Sequence, residues 1–191
     1  MRDFLLVLLI SIQVMAQEQL PFSSIPKAPE QVTAGTTLAR MVQGVGFRYH
    51  WATHELKEDD LKYRPTPEAQ SALETLQHIY SLALVIKNTT VNETNVRPET
   101  ERFDDYTTLR KETLKLLEEA TENLLHASAA DIAKMEVVFE RQGKRSHFPV
   151  WNLINGPIED VIYHTGQIVS FRRTTGNPIP KGVNVFMGTK N

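Results

Sequence analysis

Four long stretches in which apolar residues return every three or four positions confine this chain to a helical fold. The first, over residues 33–56, places Leu38, Met41, Val42, Val45, Tyr49, Ala52 and Leu56 on one stripe. The second, 68–86, carries Leu73, Leu76, Ile79, Tyr80, Ala83 and Leu84, and its later half is apolar nearly all round. The third, 105–127, repeats the theme with Tyr106, Leu109, Thr113, Leu116, Leu117, Ala120 and Leu124. The fourth, 148–174, contains Gly156-Pro157, which reads either as a kink or as a true start with Pro157 in the first turn. Gly176 caps it, and Pro178 and Pro180 forbid its continuation. An apolar stripe must be buried against a neighbour, so the predicted fold is all-α, a four-helix bundle with two extended connections. The charged, proline-broken run 57–67 reads as one loop and the polar run 87–105 as another. Residues 135–147 read as a short strand or turn between the third and fourth helices.

At 191 residues and 41% hydrophobic content, the chain suits a single core. The bundle is predicted over 33–180, with an extended arm at 17–32, where Pro21, Pro26 and Pro29 break any period, and a tail at 181–191. The apolar run from Phe4 to Val14, closed by Val14-Met15-Ala16, reads as a signal peptide over 1–16 and implies a secreted or periplasmic protein. It is too short to span a bilayer, so no stable membrane insertion is expected after cleavage; a buried N-terminal segment is the rival reading. A net charge of -2 without a basic stripe argues against nucleic acid as a partner. The absence of cysteine rules out disulfides, thiolate ligands and a cysteine nucleophile, so any metal must use nitrogen and oxygen donors. Asn88 and Asn92 head Asn-x-Thr sequons, relevant only where exported proteins are glycosylated.

Polar residues interrupt the fourth stripe. A turn of about 100° per residue aligns Leu153, Pro157, Asp160, Val161, His164, Ile168 and Phe171. A carboxylate on that face loses water and requires a partner. Asp160 and His164, one helical turn apart, can point at one ion and so form half of a chelate, or they can simply pair with each other. His78, beside the main stripe of the second helix, reads by itself either as a structural histidine or as a ligand.

The run Trp51-Ala52-Thr53-His54-Glu55-Leu56-Lys57-Glu58-Asp59-Asp60-Leu61-Lys62-Tyr63-Arg64-Pro65 resembles the passage from the first helix into its loop in the DinB/YfiT-like family. The segment from Ser71 to His78, followed by Ile79, resembles that family's second helix, whose histidine is the first metal ligand. His164-Thr165-Gly166-Gln167-Ile168 with Arg172-Arg173 and Gly176-Asn177-Pro178-Ile179-Pro180 resembles its last helix, where a His-x-x-x-His pair is followed one residue later by Gly-Gln. The resemblance implies a metal site of His78, Asp160 and His164. Asp160 stands where many relatives have histidine; members similar to mycothiol-dependent maleylpyruvate isomerase place glutamate there, so a carboxylate is compatible with binding. Two imidazoles and a carboxylate leave a position open, the arrangement of catalytic zinc. Nickel suits the same donors, as do iron and manganese.

Two classes of function follow: a metal-dependent hydrolase or thiol-type transferase acting on a small molecule, or a non-catalytic metal-binding or interaction bundle. An open metal position facing a pocket favours the first. His50 and His54 also have ligand spacing, but with Phe47 and Trp51 they lie opposite the apolar stripe. That face suits a homodimer contact if uncovered, or else the N-terminal arm covers it. Gln167 is a candidate to orient a ligand, and Tyr49, Tyr80 and Tyr163 are candidate proton donors.

Overall fold

The computed structural model describes residues 20–98 and 102–191, so the predicted signal sequence lies outside the described residues. The long helices are α1 (Ala34–Ala52), α3 (Ala72–Thr90), α4 (Tyr106–His126) and α7 (Glu159–Thr174). Thr33 and Ser71 cap α1 and α3 with reciprocal capping boxes, and the Asp105 side chain accepts from the Thr108 N–H at the start of α4. α1 packs on α4 and α7, and α3 packs on the same two helices, so the four contacts close a ring around one core. Leu38, Val42, Val45, Leu76, Ile79, Ile86, Leu109, Leu117, Leu124, Val161 and Ile168 fill it, largely from the predicted stripes.

The fold is mostly helical, not all-α. The run 57–67 contains a turn of helix, α2 (Glu58–Lys62), started by the Asp60 carboxylate accepting the Lys57 N–H at 2.7 Å. The connection after α3 contains β1 (Thr94–Arg97), and beyond the short α5 (Ala129–Lys134) come β2 (Glu136–Arg141) and β3 (Lys144–Pro149). β2 and β3 form the predicted strand and turn, a hairpin in which Gln142 and Gly143 both take positive φ, the conformation a two-residue turn demands. β1 pairs in parallel with β2, Thr94 opposite Val138, which recruits part of the predicted loop into a three-stranded sheet. Phe148, predicted to begin the last helix, pairs instead with Val137. Asn88 of the first sequon is buried and donates to Asn95 Oδ1 at 3.1 Å, so its amide is committed to the fold.

The aromatic face of α1 is covered by the chain's own ends. Phe22 of the arm lies on Gly46, where an added Cβ would stand 2.5 Å from the ring, and His50 Nδ1–H donates to the Pro21 carbonyl at 2.7 Å. Trp51 Nε1–H donates to Ser23 at 3.1 Å, and Lys190 of the β4 (Val183–Asn184) and β5 (Thr189–Lys190) hairpin sits 5.5 Å from the Trp51 ring. Phe47, His50 and Trp51 are consequently buried, so of the two readings of this face the one in which the arm covers it holds. No helix among the described residues is long and apolar enough to cross a membrane.

Candidate metal centre

Two local devices bring the candidate ligands together. In α3 the Ser71 and Glu74 capping box sets the helix phase, so that His78 emerges on the side that packs against α7. Before α7, the short α6 (Trp151–Leu153) runs into a π-turn at Ile154–Ile158, where Gly156 departs from helical geometry at φ -98° and ψ -107° and Pro157 follows. Gly156-Pro157 is thus a kink that re-aims the chain, and Glu159 and Asp160 occupy the first turn of a fresh helix, where the macrodipole favours carboxylates.

His78 Nε2 lies 3.5 Å from Asp160 Oδ2, and His164 Nε2 lies 3.2 Å from Asp160 Oδ1. The donor atoms of all three residues fall within 4.8 Å of one another, and the two imidazoles meet edge to face with centroids 4.7 Å apart. A tetrahedral ion held at about 2.0–2.1 Å has donor-to-donor edges of about 3.3 Å. The two observed nitrogen-to-oxygen separations, 3.5 and 3.2 Å, bracket that value. His164 Nδ1 lies 2.8 Å from Gln167 Oε1, which can only accept, so Nδ1 carries a proton, and in the neutral ring Nε2 then turns its lone pair toward the Asp160 carboxylate. Two acceptors facing each other repel unless a cation or a further proton lies between them.

Burial, the positive charge His164 would carry and the nearby Arg97 guanidinium lower the pKa of His78 and outweigh the opposing pull of Asp160. A lowered pKa favours the neutral ring that a metal ligand requires. The expectation of a fully buried carboxylate needs correction: the Asp160 side chain is 41% exposed and that of His78 40%, against 16% for His164. Asp160 stands at the margin of the α7 stripe, and water can reach one side of the triad. Such a group can hold a metal ion and leave a coordination position open.

The sequence matches the DinB family over residues 31–184. The chain belongs to the DinB family. A crystal structure of a DinB-like protein from Bacillus subtilis superposes on this DinB chain with a TM-score of 0.56 at 16% identity, covering 75% of this chain and 96% of that one. At that identity the likeness speaks for the DinB fold alone. Among curated proteins no match is found.

The other candidates in this DinB protein fall elsewhere. His50 is tied to the arm, and among the described residues the only metal-capable group of three is His78, Asp160 and His164. Tyr49 is fully buried, which pushes its hydroxyl far above the usual range, and Tyr80 packs on Phe103. Tyr163 is 65% exposed with its ring 5.3 Å from that of His164, so it stands at the mouth of the triad.

Sequence reasoning missed the arginines. Arg110 donates to His50 O at 3.1 Å and to Thr53 Oγ1 at 3.0 Å, while Arg172 donates to Ala52 O at 2.9 Å, so two guanidinium groups close the C-terminus of α1. Arg172 also donates to Asn177 O at 2.6 Å, and Asn177 donates to Asp60 Oδ2 at 2.6 Å. Burial acts to raise the pKa of Asp60, but hydrogen bonds from Thr175, Asn177 and the Lys57 N–H, with the Arg172 charge, hold it below the usual carboxylate range. This clasp fixes the end of α7 opposite the kink. Arg97 and Arg102 line a cavity of about 400 Å³ that opens beside His78.

Proposed function

We propose that this DinB protein is an exported metal-dependent hydrolase or transferase, built on a four-helix bundle, whose single divalent ion is held by His78, Asp160 and His164. Zinc or nickel suits the donor set best, with iron and manganese compatible. The observation that carries the reading is the convergence of ligand atoms from His78, Asp160 and His164 within 4.8 Å of one another, with His164 Nδ1 held 2.8 Å from Gln167 Oε1 and its Nε2 turned toward Asp160. A bound ion would act as a Lewis acid on a substrate oxygen or on water. His78 and His164 would contribute neutral nitrogen donors, Asp160 would offset part of the ionic charge, and Gln167 would keep the His164 ring in the ligating tautomer. The partial exposure of His78 and Asp160, together with the cavity beside His78, favours catalysis over a closed structural site. Export is supported by the apolar run from Phe4 to Val14 and its small-residue ending. Low-molecular-weight thiols are cytosolic, so water is the nucleophile that fits an exported member.

Elemental analysis of untagged protein tests the site. The wild type should carry about one equivalent of divalent metal, the stoichiometry of a single three-ligand site. His78→Ala and His164→Ala should each lose most of it, and equal metal content in all three proteins would refute the assignment. Intact mass of the natively expressed protein should correspond to a chain beginning near Gln17, whereas a chain retaining Met1 in the cytosolic fraction would refute export.

A further inference from the structure

We propose that the hairpin of β4 and β5, with the helix faces beside it, is a surface that docks on a membrane bearing anionic lipid headgroups. Phe186 and Met187 enter the interface, and Arg48, Arg173, Lys181 and Lys190 meet the headgroups. The docking is peripheral and independent of the metal-site reading above.

Charge along the chain is segregated. Of its 23 acidic residues none lies in 34–54, which contains α1, or in 161–191, which contains most of α7 and the whole hairpin. These two stretches pack together. Arg48 and Arg173 share the wall of one cavity with Trp51, Val183 and Val185; Lys190 lies 5.5 Å from the Trp51 ring, and Lys181 leads into β4. The lysine and arginine ion pairs among the described residues are at Lys62, Arg64, Lys87 and Arg145, all on other elements. The terminal carboxylate of Asn191, beside Gly182, offsets one of the four cations, and Asp3 and Glu18, the acidic residues before Leu20, offset at most two more. A positive excess remains.

An apolar tip stands beside this charge. Phe186 is 92% exposed and Met187 62%, with Val185 next to them and Ile162 on the same side of α7 also exposed. The tip is held rigid. The Phe186 and Met187 N–H groups both donate to Asn184 Oδ1 at 3.1 Å, the Gly188 N–H donates to Asn184 O at 2.8 Å, and the Ile25 N–H donates to Gly188 O at 2.8 Å. Gly188 takes φ +67°, and an added Cβ would stand 2.7 Å from Ile25 Cβ, so the turn requires glycine. A preformed apolar tip loses little freedom on entering an interface. A bilayer with anionic headgroups matches both features at once: its acyl boundary takes the aromatic ring, and its surface potential draws the cations.

Co-sedimentation of the natively expressed protein with phosphatidylcholine vesicles, with and without phosphatidylglycerol, tests the surface. Wild type and variants share the same N-terminus, so residues 1–16 contribute equally to each. Binding should require phosphatidylglycerol and weaken as salt rises. Phe186→Ser should weaken it by about tenfold or more, and Arg173→Gln and Lys181→Gln by about fivefold each. All three side chains are exposed, so the variants should fold. Because the chain has no cysteine, Phe186→Cys accepts a single environment-sensitive fluorophore, whose emission should move to the blue on phosphatidylglycerol vesicles; the same label at Glu118→Cys, exposed on α4, should not respond. Equal binding to both kinds of vesicle, binding that Phe186→Ser leaves unchanged, or an equal response at Glu118→Cys would overturn the docking surface. A concentration-dependent dimer that Phe186→Ser dissociates, with no vesicle binding, would also overturn it and assign the tip to a second copy of the chain.

Discussion

Acidification should loosen the N-terminal arm from α1, and His50 sets the size of the effect. Its ring is 8% exposed and donates from Nδ1 to the Pro21 carbonyl at 2.7 Å. Burial, and then the charges of Arg110 and His54, push its pKa down to about 4, against the opposing influence of the Pro21 carbonyl. In the unfolded chain the same ring titrates near 6.5, so the folded state binds fewer protons between those two values. Stability from this group is complete above about pH 6.5 and is lost as pH falls toward about 4, at a slope approaching about 1.4 kcal/mol per pH unit. The full span amounts to about 3 kcal/mol. Urea unfolding of the wild type and of His50→Gln at pH 7.5 and pH 4.5 measures it, because glutamine can still donate to Pro21 but does not titrate. The wild type should lose about 2–3 kcal/mol more than the variant over that interval. Parallel losses in the two proteins would refute the reasoning.

Gln167→Leu should leave the fold intact but release the His164 tautomer, lowering metal affinity about 10–100-fold in a chelator competition; an unchanged affinity would dismiss the role of Gln167. Arg172→Met should destabilise the protein by about 3–5 kcal/mol, because it leaves buried Asp60 without its nearby positive charge and uncaps the last carbonyls of α1. Denaturant unfolding checks this, and a loss below about 1 kcal/mol would show that the clasp contributes little beyond surface-level pairing.

The long helices were legible because their signals are local. Apolar spacing marks all four, and Ser71 with Glu74 spells a capping box that places the start of α3 at Ala72, later than the apolar pattern alone suggests. β1 carried no such signal: Thr94-Asn95-Val96-Arg97 is short and polar, and its strand character comes from pairing with β2, over forty residues along the chain. The fate of Phe47, His50 and Trp51 was likewise non-local. An aromatic face on a helix says that something covers it, but only the packing of Phe22 on Gly46 and the carbonyls of Pro21 and Ser23 say what. At the triad, the residue types and the one-turn spacing of Asp160 and His164 could be read directly, whereas helical phase alone overestimated how deeply Asp160 is buried.

That last difference bears on chemistry. Asp160 and His164 ride on one helix and His78 on another, so the shape of the triad depends on how α7 sits against α3. The packing is pinned from both ends of α7. Gly156 and Pro157 set where the helix begins, and Arg172 and Asn177 tie its end to Ala52 and Asp60. A ligand set spread over two helices but clamped beyond each end can stay open to solvent on one side without losing its geometry, which a reactive metal requires and a purely structural one does not. The exposed margin occupied by Asp160 is therefore the feature that most favours a substrate-facing centre, and it is the feature that periodicity concealed.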